Sequence, residues 1–356
     1  MQIKKQRKFT PDYQHVVNAA RNIEAKRLPL YDHLIAIDAM EAILGKKFAG
    51  YSSGNRTDKK EYYRMFCEFH RQMAYDTVIF EGCMAHIMPG AGALSRNQPG
   101  VIKTRDDFNK YPWNELPDMY FQRFSEDFEL LRETMPAGMK AVGGIGNGLF
   151  EVIQELVGYM DLCYIQVDDP ELFGDLFAKA GDVLTKIWSR FLDEYGDVYC
   201  VCRFGDDLGF KSTTLLSHEV IRKHIIPQYK RIISAVHHSG KPFLLHSCGQ
   251  IFDVMDDLIA VAGIDAKHSN EDVIAPFSHW VNAYGAKIGN FGGVDTDVIC
   301  NDDTNYVKEY TTDVLKQVAQ GNGGIAIGTG NSVPDYVSIA GYLAMNEAVR
   351  EFREGV

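Results

Sequence analysis

Apolar residues in this chain follow two rhythms. Short, mostly apolar runs of four to seven residues recur at Leu28–Tyr31, Thr77–Phe80, Met139–Val142, Val198–Phe204, Pro242–His246, Ile264–Lys267, Lys287–Phe291 and Gly324–Ile327. Between the later runs, apolar residues return every third or fourth position, over Pro170–Tyr195, Ser217–His238, Asp253–Ala262 and Asp303–Gln320. The first rhythm predicts buried strands and the second amphipathic helices. Strand and helix in alternation imply parallel strands joined by right-handed crossovers. Eight such units predict an α/β fold, a (β/α)8 TIM barrel with its active site at the carboxyl ends of the strands. The rival is an open doubly wound sheet, which requires a Gly-rich phosphate turn after its first strand. None is present there. The stretch Gly143-Gly144-Ile145-Gly146-Asn147-Gly148 follows the third strand without the fingerprint spacing, and it reads as a flexible strand-end loop.

No linker, low-complexity tract or short repeat divides the chain, so residues 1–356 are expected to form a single β/α-barrel domain. A helical N-terminal extension is expected over residues 1–26. A long insertion, residues 83–138, follows the second strand and carries Pro89-Gly90-Ala91-Gly92-Ala93 and Tyr111-Pro112-Trp113. Insertions of this kind at strand ends often form lids or substrate walls. Tyr62, Met65, Phe66 and Phe69 share one helix face and read as core.

Composition narrows the classes of function. Hydrophobic residues make up 46% of the 356, enough for a large core. The net charge of −11 argues against a nucleic-acid partner. The basic run Lys4-Lys5-Gln6-Arg7-Lys8 is short and reads as a solvated arm. No run of about 18 apolar residues predicts a membrane span. The first residues have no apolar core of a secretory signal, so none is expected. Seven scattered cysteines fit reduced thiols in a cytoplasm.

Polar side chains cluster just past the expected strands: Asp32 and His33; Glu81 and Cys83; Asp206 and Asp207; His246 and Cys248; His268, Glu271 and Asp272; Asn290 and Asp295; Thr329 and Asn331. In Leu244-Leu245-His246-Ser247-Cys248-Gly249, residues two apart on an extended strand project together. His246 and Cys248 are therefore candidate zinc ligands, the alternative being a barrel-lining histidine beside an inert thiol. A catalytic zinc usually has three protein ligands. Glu271 is the first choice for the third and Cys300 a weaker one. Glu81, Asp207 and His268 are candidate acid/base groups. Asp206 and Asp207 have helix capping or surface charge as their alternative. Asp206, Asn290, Asp295, Thr329 and Asn331 are candidate substrate contacts.

These residues also carry a resemblance. Phe204-Gly205-Asp206-Asp207-Leu208-Gly209, Ile226-Pro227-Gln228-Tyr229, Leu245-His246-Ser247-Cys248-Gly249, Asp265-Ala266-Lys267-His268-Ser269, Asn290-Phe291-Gly292-Gly293-Val294-Asp295 and Gly328-Thr329-Gly330-Asn331-Ser332 together resemble the uroporphyrinogen decarboxylase superfamily. Arg27-Leu28-Pro29-Leu30 and the run at 77–81 match more weakly. Members that decarboxylate porphyrinogens carry arginines after the first strand, whereas this chain has Leu30-Tyr31-Asp32-His33-Leu34-Ile35-Ala36. The resemblance therefore points to the branch of zinc-dependent methyltransferases, which exchange methyl groups between a corrinoid and an acceptor. Those bind zinc through His-x-Cys and a later cysteine in a Gly-Cys-Gly turn; Thr329 stands at that cysteine here.

The resemblance implies a methyltransferase with Zn2+, a methyl donor or acceptor of small size, and a corrinoid such as methylcobalamin on a partner protein. A homodimer is compatible with it. The alternatives are a metal-free decarboxylase or lyase using Glu81, Asp207 and His268, and a non-catalytic corrinoid-binding module.

Overall fold

A computed structural model describes residues 9–318 and 323–355. The basic run at 4–8, the start of the expected N-terminal extension and the end of the Asp303–Gln320 helix lie outside those residues. The extension contributes the helix Gln14–Ala20. Among the described residues, seven strands form: β1 (Val78–Gly82), β2 (Ala141–Ile145), β3 (Tyr199–Gly205), β4 (Phe243–His246), β5 (Ala266–His268), β6 (Gly289–Val294) and β7 (Ile325–Thr329). They neighbour one another in chain order, β1-β2-β3-β4-β5-β6-β7. The pairings β3–β4 and β6–β7 are parallel. Helices separate the strands, as the alternation predicts. Among the described residues, no helix is long and apolar enough to cross a membrane.

Seven of the eight expected strands form, each within a few residues of its expected bounds. The first, Leu28–Tyr31, does not: only Leu30 bridges, to Ile327. Tyr31 N–H donates to the Ile327 carbonyl at 2.9 Å and Ile327 N–H to the Pro29 carbonyl at 3.0 Å. Pro29 has no N–H to extend this ladder. The insertion at 83–138 is largely helical, with Arg105–Lys110 and Leu116–Thr134.

The chain divides into two compact units. The first takes in the described residues to 79, residues 127–142 and those from 268 onward; the second is 80–126 with 143–267. In the first unit, Asp32 is fully buried and accepts hydrogen bonds from Tyr75, Tyr342 and the Thr329 N–H. Tyr31 packs edge-on against Phe291. In the second, Trp188 of the helix Pro170–Tyr195 packs on Phe191 and Phe243, and Phe243 on Phe204. This aromatic layer holds β3 and β4 against their covering helix.

The glycines at 143 and 144 form no loop; they lie within β2 at φ +141° and +126°. A Cβ at Gly144 would fall 2.7 Å from the Trp188 ring. One at Gly143 would fall 2.0 Å from the Phe80 carbonyl oxygen. Gly143→Ala is therefore expected to destabilise the fold by about 2 kcal/mol or more in urea unfolding, through strain and backbone overlap. Gly45→Ala, at a helix end with open space around it, should cost clearly less.

Candidate functional site

In the second unit, backbone bonds stitch the ends of the strands together. Gly146 N–H donates to the Gly82 carbonyl, Gly205 N–H to Gly146, and Asp206 N–H to His246. Beyond them, two turns are laced along their length. Cys248 N–H donates to Asp207 Oδ1 at 2.8 Å, Leu208 N–H to Ser247 Oγ at 3.2 Å, Gly209 N–H to the Cys248 carbonyl at 3.2 Å and Gln250 N–H to the Phe210 carbonyl at 2.6 Å. Glycine is required where the turns meet, since a Cβ at Gly249 (φ +83°) would lie 2.2 Å from the Gly209 carbonyl carbon. The first turn continues as a small hairpin, with Gly209 bridging Thr214 and Leu215 N–H donating to Leu208.

This lacing brings three donors together. His246 Nε2 lies 3.4 Å from Cys248 Sγ and 3.9 Å from Asp207 Oδ1. Ligand atoms of all three lie within 4.8 Å of one another. Tetrahedral zinc bonds of about 2.0–2.3 Å separate neighbouring ligand atoms by about 3.3–3.6 Å. Imidazole nitrogen, thiol sulfur and carboxylate oxygen are all zinc donors. His246 is nearly buried, whereas Asp207 and Cys248 reach solvent. The set therefore fits a zinc ion, with Asp207 in the position for which the sequence favoured Glu271. Glu271 lies in the first unit, where its carbonyl accepts from Ile274 and Ala275 N–H.

Asp206 has different work. It is fully buried and accepts the N–H groups of Phe150 (2.9 Å) and Glu151 (2.8 Å), together with the Tyr229 hydroxyl. It thus caps the helix Leu149–Val157 from a distant part of the chain. Glu81 is paired with the fully buried Arg203 and accepts from the Cys83 thiol at 3.6 Å. Burial pushes the Glu81 carboxyl up to about 7, against the pull of the Cys83 thiol.

The sequence did not single out Glu151. It stands in the first turn of that capped helix and accepts from Asn147 Nδ2 at 3.0 Å. Burial, then Asp206, Asp207 and Glu81, hold its carboxyl well above the ordinary glutamate range. An acid just past a strand end was the available signal.

In the first unit, His268 ends β5, buried, with Nε2 3.0 Å from the Thr329 carbonyl oxygen and its ring stacked on His33. The Thr329 hydroxyl donates to the Asn331 carbonyl, and Asn331 Oδ1 accepts the Ser332 N–H. Asp295 caps the short helix Thr296–Ile299 and accepts the Asp272 N–H. Asn290 corrects an expectation. β6 runs on through Gly292 and Gly293 to Val294, so Asn290 sits at the strand's amino end, opposite β7's first residue, and donates to the Ile288 carbonyl. Cys300 forms no disulfide, and neither do the other six cysteines.

The family model described as uroporphyrinogen decarboxylase matches residues 15–352. No curated protein sequence matches the chain. Among solved structures, a methyltransferase from Methanosarcina mazei superposes with a TM-score of 0.70 at 14% identity, over 95% of this chain and 98% of that one. A candidate vitamin-B12-independent methionine synthase from Listeria monocytogenes gives a TM-score of 0.52 at 12% identity, over 93% and 98%. At these identities the likeness is one of fold.

Asp206 yields a pH-dependent prediction. Burial pushes its carboxyl up to about 6 from the ordinary 3.8, against the pull of Tyr229 and the two helix N–H groups. The folded state then holds this proton more tightly than the unfolded chain does. The Asp206 contribution to stability should accordingly fall as pH rises between those two values. Asp206→Asn cannot titrate, so urea unfolding across that window should show a shallower decline in the variant than in the wild type.

Proposed function

The chain belongs to the uroporphyrinogen decarboxylase family, and on that premise we propose that it is a zinc-dependent methyltransferase, moving a methyl group between a small molecule and a corrinoid. The observation that carries this reading is the mutual approach of Asp207 Oδ1, His246 Nε2 and Cys248 Sγ. Three protein donors leave one position of a tetrahedral ion open to substrate, the pattern of catalytic rather than structural zinc. Bound there, zinc would supply a Lewis acid that holds a substrate thiol as its nucleophilic thiolate or polarises the heteroatom carrying the methyl group.

The chain's own part is to hold the donors in place. Cys248 N–H fixes the Asp207 carboxylate, while Asp206, engaged with the helix, anchors the backbone beside it. Thr329, at the position of the family's later cysteine, has its hydroxyl engaged with Asn331; Asp207 takes over as the third donor. The fold shared with the Methanosarcina mazei methyltransferase supports the reading, and seven cysteines without a disulfide suit a reducing, cytoplasmic setting. The corrinoid would arrive on a partner protein.

A metal-free lyase resting on Glu81 is less well supported, because Arg203 engages that carboxylate. Tetrapyrrole polycarboxylate binding is disfavoured too: residues 30–36 contain no arginine, and Asp32 among them is buried against two tyrosines.

Metal analysis of protein purified without chelators should find about one zinc per chain. His246→Ala, Cys248→Ser and Asp207→Asn should each weaken zinc retention by at least about tenfold, whereas Glu271→Gln should keep it. Zinc-free wild type, or full retention in both His246→Ala and Cys248→Ser, would overturn the proposal.

A further inference from the structure

In the second unit, the helix Tyr159–Asp168 is apolar on two opposite sides. One side buries Leu162 and Ile165. The other carries Met160, Cys163, Tyr164 and Val167, at i, i+3, i+4 and i+7, which is a single helical face. Met160 and Tyr164 are each 62% exposed, Val167 is 78% exposed, and Cys163 is half-buried. A helix with one covered side normally turns polar residues outward; this one keeps its carboxylates at the edges. Phe210, 60% exposed, extends the patch. The Tyr159 hydroxyl donates to the Leu215 carbonyl at 2.7 Å, which ties the helix to the hairpin that Phe210 tips.

Area and charge decide what covers this face. Large apolar side chains present about 150–250 Å² each, so Met160, Tyr164, Val167 and Phe210 together leave roughly 500 Å² open, near the upper end for a monomer surface. Two such faces against each other bury about 1,000 Å², the threshold of a specific interface. The charges beside the stripe are paired inside the chain, Asp161 with Lys103 at 3.2 Å and Asp169 with Arg105 at 3.6 Å. A face with its charges neutralised lacks the open charged rim that steers an unlike partner. It suits a copy of the same chain, which carries a net charge of −11 and would be repelled from an acidic surface.

We propose that this face is a self-association surface whose occupant is a second copy of the chain, docked antiparallel about a two-fold axis between Cys163 and Tyr164. Such an interface presents the same patch from both sides. Val167 of each copy meets Met160 of the other, and Tyr164 meets Cys163. Asp168, exposed at the carboxyl end of the helix, comes to the amino end of the other copy's helix, where a negative charge is favoured. The hairpin tipped by Phe210, laced to the Cys248 turn, lies at the edge of the contact. The pairing needs no metal and stands independently of the methyl-transfer reading.

Light scattering of the full chain at about 100 µM, well above the micromolar Kd of a small specific interface, should give twice the mass of one chain. The double variant Tyr164→Glu with Val167→Glu should give the mass of one chain, with the circular dichroism of the wild type. Tyr336→Glu, at a position 73% exposed in the first unit, should stay dimeric. A short bismaleimide should join two wild-type copies, and Cys163→Ser should abolish that product; this readout holds even if the double variant fails to fold. In hydrogen exchange, the amides of residues 159–168 and 209–215 should slow as the wild type is concentrated. A monomeric wild type would overturn the proposal and leave the face to an unlike partner, such as the carrier of a corrinoid. A dimer that survives the double variant, a dimer lost in Tyr336→Glu, or a cross-link that is absent or survives Cys163→Ser would overturn it as well, by placing the contact elsewhere.

Discussion

The lacing of residues 206–210 onto 246–250 is the constraint on which the candidate centre depends. Five backbone donors, at Asp206, Leu208, Gly209, Cys248 and Gln250, reach across from one turn to the other. The pairing is possible because Gly209 and Gly249 let the two backbones touch. Without it, His246 would end its strand beside an unplaced thiol, and Asp207 would be one more surface carboxylate. With it, three chemically different donors face one point, and the carboxylate is already oriented by a main-chain N–H. Such preorganisation spares a ligand the cost of gathering its donors.

The same region separates adjacent carboxylates by environment. Asp206 and Asp207 are chain neighbours, yet one is buried under a helix terminus and a tyrosine while the other opens to solvent beside an imidazole. Glu81 is neutralised by a buried guanidinium. Glu151 accepts from the Asn147 amide, and burial and the neighbouring acids hold its carboxyl above the ordinary glutamate range. Carboxyl groups pushed apart in this way take different chemical roles within one site.

Elements defined by burial were legible before any coordinates. The helix Pro170–Tyr195 starts at a proline and ends just before Gly196, and both of its bounds were readable. His246 and Cys248 were readable as a pair because strand periodicity alone sends them the same way. Glycine misled at Gly143-Gly144, which read as a loop but lie inside β2, where the Trp188 ring leaves no room for a Cβ at Gly144. Asn290 was misplaced because β6 runs on through Gly292 and Gly293 to Val294. Long-range caps were invisible. Nothing near Asp206 announces that its partners lie 55 and 56 positions away, so its capping role could not be told from a substrate role. Asp207 was legible as a candidate but not as a neighbour of His246 and Cys248, since only the folded turn brings the three together.

The hairpin that begins at Gly209 has a kinetic consequence. Its two arms are joined at Gly209–Thr214 and Leu208–Leu215, its end is tied to Tyr159 through the Leu215 carbonyl, and Phe210 stands largely exposed near its tip. Because the residues that build it also hold the Cys248 turn, the hairpin and the donor set form one cooperative opening unit. An ion held by Asp207, His246 and Cys248 would then exchange with solvent at the rate at which this hairpin frays. That rate belongs to local unfolding and not to the intrinsic lability of the metal–ligand bonds.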